Sequence, residues 1–130
     1  MRVRLPLSPI PAPRPRVTSK GWAYYPRKYK EWRDRAAILI PDILASLGLE
    51  MPMNGAVDVG VEFVATRPKT TKLPYPKGDI DNFLKSLDCF NGLLWDDDFR
   101  IVHIQAGKRW APPGEEGYID LTVNELGPWL

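Results

Sequence analysis

From Tyr25 onward, apolar residues recur three or four positions apart: Tyr25, Tyr29, Trp32, Ala36, Leu39, Ile43 and Leu47. That period predicts an amphipathic helix. Pro26 suits its first turn and Gly48 suits its end. Pro41 removes a hydrogen bond from the interior and disfavours helical geometry at Ile40, so the pattern predicts a kink or a split into two helices. A second helical pattern, Ile80, Phe83, Leu84 and Leu87, marks a shorter helix, with Asp79 at its N-cap and Asn91-Gly92 suited to left-handed geometry at its end. Asp81, Lys85 and Asp88 share a different face of it.

Alternation with a period of two marks the strands. Val57-Asp58-Val59-Gly60-Val61-Glu62-Phe63 reads as a half-buried strand continuing to about Thr66. In the segment Arg100–Lys108, Val102, Ile104 and Ala106 face one way, and in the segment Gly117–Val123, Ile119, Leu121 and Val123 point inward. Arg2-Val3-Arg4-Leu5 alternates before reaching Pro6 and reads as a short edge strand. Residues 12–25 form a candidate hairpin, in which Val17-Thr18 and Trp22-Ala23-Tyr24-Tyr25 are joined by a turn at Ser19-Lys20-Gly21. Residues 67–78, with Pro68, Pro74 and Pro76, read as a mobile basic loop. Together these elements predict a single α+β domain over residues 1–130, with two main helices on a mixed or mostly antiparallel sheet.

Composition narrows what the domain does. A chain of 130 residues is large enough for one hydrophobic core. No apolar run is long enough to cross a bilayer, and Met1-Arg2-Val3-Arg4-Leu5-Pro6 is not followed by a secretory apolar segment, so a cytoplasmic location is expected. Cys89 is the only cysteine and His103 the only histidine, which excludes an internal disulfide and a Cys/His zinc cage within one chain. The net charge of +2 conceals an asymmetry: Met1–Arg35 holds ten Lys/Arg against Glu31 and Asp34. A second basic stretch, Arg67–Lys77, holds no acid and leads directly to Asp79.

Carboxylates gather where the basic stretches end. Asp79 and Asp81 open the second helix, and Asp96-Asp97-Asp98 form a turn before the next strand. Helix capping accounts for one of the first pair and poorly for the triplet. If the turn reaches the helix start, the cluster offers hard oxygen ligands with positions left for water and phosphate, matching Mg²⁺ or Mn²⁺. Lys85, one turn after Asp81, reads either as an i,i+4 ion pair worth about 0.2–0.5 kcal/mol or as a cation offsetting charge on a metal-bound phosphate. Basic arms beside such a cluster point to a polyanionic substrate.

The run from Asp79-Ile80-Asp81-Asn82-Phe83-Leu84-Lys85 through Asp88-Cys89-Phe90-Asn91-Gly92 to Trp95-Asp96-Asp97-Asp98-Phe99-Arg100-Ile101 resembles the signature D-x-D-N-x-x-K…D-x-(L/F)-N-G…(W/Y)-x-D-D-x-x-(I/V) of RusA-type Holliday-junction resolvases. Pro13–Val17 and Tyr25–Trp32 are similar to that family's N-terminal region. The resemblance implies a homodimeric, Mg²⁺-dependent endodeoxyribonuclease, with no small-molecule cofactor and no membrane partner, that cuts four-way and other branched DNA in phage or prophage recombination and repair. It implies Asp79, Asp81 and Asp98 as metal-binding carboxylates, Asp97 as a ligand or its neighbour, and Lys85 as the essential lysine. Gly78 stands where some members carry a basic residue, a role left to Lys77. Arg14, Arg16, Lys20, Lys69, Lys72 and Lys77 are candidates for the DNA backbone, with Trp22 or Tyr75 as stacking groups. Two alternatives stand beside the resolvase: a nuclease acting mainly on flaps or forks, and a non-catalytic DNA-binding module whose acids only cap a helix.

Overall fold

The structure, a computed structural model, describes residues 1–48 and 51–126. Its centre is a mixed four-stranded sheet in the order β1-β6-β4-β5, formed by β1 (Arg2–Leu5), β4 (Val57–Ala65), β5 (Ile101–Trp110) and β6 (Tyr118–Glu125). β6 runs antiparallel to both β1 and β4, whereas β5 runs parallel to β4. A parallel neighbour requires a crossover, and here it carries the helix α2 (Ile80–Lys85) and a 3₁₀ turn at Ser86–Phe90. The run from Asp79 to Asp98 is therefore part of the bridge that returns the chain to the start of β5.

The long helix α1 (Arg27–Ser46) covers one face of the sheet. Its buried stripe, Tyr29, Trp32, Ala36, Ile40 and Leu44, meets Val3, Leu5, Val57, Val59, Val61, Phe63, Ile119, Leu121 and Val123 in the core. Leu39, Ile43 and Leu47, expected on the central stripe, flank it partly buried. Pro41 does not divide the helix. It lies on the exposed side, as does Ala37, whose carbonyl loses its intrahelical partner. Burial of Ile40 and Leu44 on either side of Pro41 offsets a cost of about 3 kcal/mol. Pro26 occupies the N-cap rather than the first turn, and Gly48, at φ +66°, follows the C-cap as expected.

The hairpin is present as β2 (Arg16–Val17) and β3 (Ala23–Tyr24), closed by Thr18 N–H donating to the Trp22 carbonyl and Gly21 N–H donating to Thr18. The basic loop is tethered, contrary to expectation. Trp110 Nε1 donates to the Leu73 carbonyl at 2.9 Å, and Lys108 Nζ donates to the carbonyls of Pro76 at 2.9 Å and Gly78 at 2.5 Å. Both anchors come from β5. Two further expectations change at this edge. Ile80 is exposed rather than packed, and Val102 and Ile104 are 54% and 38% exposed, although Ile104 pairs in register with the buried Val59. Among the described residues, no helix is long and apolar enough to cross a membrane.

Candidate active site

Asp79 occupies the N-cap of α2 with extended backbone (φ −75°, ψ 142°), and its carbonyl accepts from Asn82 and Phe83 N–H. Its carboxylate makes no capping hydrogen bond. The side chain expected to be consumed by the helix end is thus free, and it is exposed beside Asp81 in the first turn and Lys85 in the last. Gly78 fixes the approach to this point. It sits at φ +118°, and a Cβ there would lie 3.1 Å from Pro11 Cγ and 3.3 Å from Phe83 Cε2. A basic residue at this position would be both strained and crowded.

The N-terminal segment reaches the same place from the other side. Ala12 N–H donates to the Asn82 carbonyl at 2.8 Å, pinning the foot of the hairpin to α2. A cavity of about 250 Å³ results, lined by Arg14, Tyr25, Asn82, Lys85, Asp88 and Asp98 among others. Of the residues expected from sequence, the structure brings Lys85, Asp98 and Arg14 together here. Asp79, Asp81 and Asp97 are not in its lining.

Within the acidic triplet each residue has a different task. Arg100 donates to both oxygens of Asp96, at 2.9 and 3.1 Å, and these hydrogen bonds hold the Asp96 carboxyl below the usual carboxylate range. Asp97 Oδ1 accepts from Asp98 N–H at 2.8 Å, capping a 3₁₀ turn at Asp98–Arg100. That leaves Asp98 facing the cavity. Local hydrogen-bond competition, invisible in the triplet's sequence, sorts the acids.

Asp88 is the residue that sequence reasoning left without a role. Its Oδ1 is buried and has no hydrogen-bond partner, and its Oδ2 lies 3.8 Å from Arg33 Nη2 on α1. Burial is the main cause raising its carboxyl above the ordinary value, opposed by Arg33 and assisted by the charge of Asp98. The signal that could have found it is its position one face-repeat after Asp81 and Lys85.

The donor set suits a hard divalent cation in chemistry. The oxygen-bearing side chains of its lining are the carboxylates of Asp88 and Asp98, the Asn82 amide and the Tyr25 hydroxyl, and Asp88 Oδ1 is a buried oxygen with no hydrogen-bond partner. Among the described residues, no group of three or more His, Cys, Asp or Glu is gathered tightly enough to hold a metal ion. Mg²⁺ commonly takes only one or two protein carboxylates together with water and phosphate, so a preformed triad is not a requirement.

The backbone candidates divide between two sides. Arg14, Arg16 and Lys20 are exposed along the hairpin, and Lys69, Lys72 and Lys77 are exposed on the tethered loop. Lys77 lines a separate cleft of about 780 Å³ with Lys28 and Arg35 of α1. Trp22, at the hairpin tip, is 73% exposed. Tyr75 is also exposed but has Lys108 Nζ 5.4 Å from its ring centroid.

No match was found among curated proteins. The family model described as endodeoxyribonuclease RusA matches residues 6–117, from the segment after β1 to the start of β6, and includes every candidate site residue. Because that match spans well over half of the chain, the chain belongs to the RusA endodeoxyribonuclease family.

Proposed function

We propose that this protein resolves Holliday junctions as a homodimer, hydrolysing phosphodiesters with a divalent metal and placing paired, symmetric nicks. The observation that carries the reading is the cavity in which Lys85 and Asp98 meet Arg14 at the foot of a basic hairpin, in a chain of an endodeoxyribonuclease family.

Asp98, from within the cavity, and Asp79 and Asp81, exposed at the start of α2 outside its lining, are the residues that would hold Mg²⁺ or Mn²⁺, with Asp97 shaping the turn. A bound ion would polarise the scissile phosphate and lower the pKa of a water nucleophile. Lys85 offsets negative charge developing on the phosphate. Arg14 binds the adjacent phosphate and orients the strand. Asp96, neutralised by Arg100, holds the shape of the turn and has no part in the chemistry.

A four-way junction is two-fold symmetric, so a two-fold dimer presents equivalent sites to equivalent strands. β5 supports such a dimer. It is the edge strand next to β4, it carries no Asp, Glu, Lys or Arg between Ile101 and Gly107, and it exposes Val102 and Ile104. Unprotected edges of this kind are templates for pairing.

The test compares mobile four-way junctions, flaps, forks and duplexes with Mg²⁺, Ca²⁺ or EDTA, using wild type, Asp81→Asn, Asp98→Asn and Asp96→Asn. Paired nicks confined to the junction and dependent on Mg²⁺ are expected, with Asp81→Asn and Asp98→Asn binding junctions without cutting and Asp96→Asn retaining cleavage. Equal cutting of every substrate would sink the resolvase assignment. Unchanged cleavage by Asp81→Asn and Asp98→Asn together would sink the catalytic one.

A further inference from the structure

An aromatic and cationic surface adjoins the cavity that holds Lys85 and Asp98. Between β3 and α1 is an open cleft of about 770 Å³, lined by Tyr24, Tyr25, Arg27, Lys30, Arg33 and Asp34 together with Ala37. Tyr25 also lines the cavity that contains Lys85 and Asp98, so the two spaces adjoin across one ring. Tyr25 is itself held from below by Tyr29 at 5.2 Å between ring centroids, and the Arg33 guanidinium lies 5.7 Å from its ring centroid. Tyr24, by contrast, is 47% exposed. Arg27 pairs with Glu31 and Arg33 with Asp88, while Lys30 has no ion pair among the described residues.

We infer that this cleft binds an unpaired DNA strand that continues from the scissile phosphate, with a base stacked on Tyr24 and a phosphate held by Lys30. The inference rests on the nuclease reading given above. With Arg27 and Arg33 paired to Glu31 and Asp88, Lys30 is the lining cation left to meet a phosphate. The tyrosines decide which kind of strand carries it: a base inside a duplex offers only its edge to a protein surface, whereas an unpaired base offers a face for stacking. Proximity to the catalytic cavity supplies the direction, because a strand lying over Tyr25 passes from this cleft to Lys85 and Asp98 without leaving the protein. The hairpin that carries Tyr24 is therefore a wall of the binding site as well as a basic arm.

The experiment measures binding of a fluorescent 12-nucleotide oligo-dT and of a duplex of equal length in EDTA across a salt series. The proteins are wild type, Tyr24→Ala, Tyr24→Phe and Lys30→Gln, each checked for an unchanged thermal unfolding curve. Loss of one stacked base corresponds to roughly a 5- to 150-fold weaker single-strand affinity for Tyr24→Ala, with Tyr24→Phe restoring most of it and duplex affinity little changed. Lys30→Gln should reduce the salt slope for oligo-dT by roughly 0.7. Unchanged oligo-dT affinity in Tyr24→Ala and Lys30→Gln overturns the inference, as does an equal loss on duplex. If wild type still cuts junctions with Mg²⁺ in that event, only the cleft assignment fails. If wild type neither binds oligo-dT nor cuts any branched DNA, the nuclease reading fails with it.

Discussion

Lys108 joins the basic loop to the segment that enters α2, and its replacement by Met should release both. Its ammonium donates to the Pro76 and Gly78 carbonyls and lies 5.4 Å from the Tyr75 ring centroid. A hydrogen bond to a charged donor contributes about 1.5–3 kcal/mol net, and an exposed cation–π contact about 0.5–1 kcal/mol. These contributions do not add, because one ammonium is desolvated once for all its contacts, and the freed carbonyls of a surface loop can turn to water. Met keeps the aliphatic stem. A cost of about 2–3 kcal/mol follows for Lys108→Met, which raises the population of the opened loop roughly 30- to 150-fold. Limited trypsin digestion reads this directly, since Lys69, Lys72 and Lys77 lie in the loop. Cleavage there should accelerate by that factor while the rest of the chain stays resistant, and junction cleavage should fall because Asp79 follows immediately after the freed Gly78. Identical trypsin kinetics, together with a urea unfolding free energy within about 0.5 kcal/mol of wild type, would refute the tether.

Gly78→Lys places a basic side chain where other family members were expected to have one, but at φ +118° and against Pro11 and Phe83. It should cost about 1–3 kcal/mol in urea unfolding, and a variant as stable as wild type would show that Pro11 yields without strain. Ile104→Lys puts a charge on the uncovered edge of β5 and should shift the protein from dimer to monomer by sedimentation with the fold retained. A dimer that survives it is built elsewhere. Burial, then the charge of Asp88, pushes the Cys89 thiol up from 9.0 to about 12. Its thiolate fraction at pH 8 is thus lowered by about three orders of magnitude, and labelling by a disulfide reagent should be slow until urea unfolds the chain. The sign for stability follows, since between about pH 9 and 12 the native state keeps a proton that the unfolded chain releases, so stability should fall as pH rises through that window. Labelling at the same rate in native and unfolded protein would place the thiol at the surface.

The sequence by itself determined the local elements, because periodicity and turn chemistry depend on near neighbours. The stripe from Tyr29 to Ala36, the alternation of Val57–Phe63 and the hairpin turn at Ser19-Lys20-Gly21 all form where their patterns predict. The order of acids and lysine from Asp79 to Asp98 likewise placed the chain in its family before any contact was known. Periodicity names a face without naming what covers it, and here the tertiary structure decided. Val102 and Ile104 repeat as core residues do, yet in the folded chain both are exposed on the edge strand. Pro41 breaks a local rule that burial of Ile40 and Leu44 overrides. Asp96, Asp97 and Asp98 are identical in kind, and only the positions of Arg100 and of the Asp98 amide leave the third free to face the cavity. Arg14 and Tyr25 line one cavity with Lys85, where Ala12 N–H donates to the Asn82 carbonyl, a contact across 70 residues that no local pattern encodes.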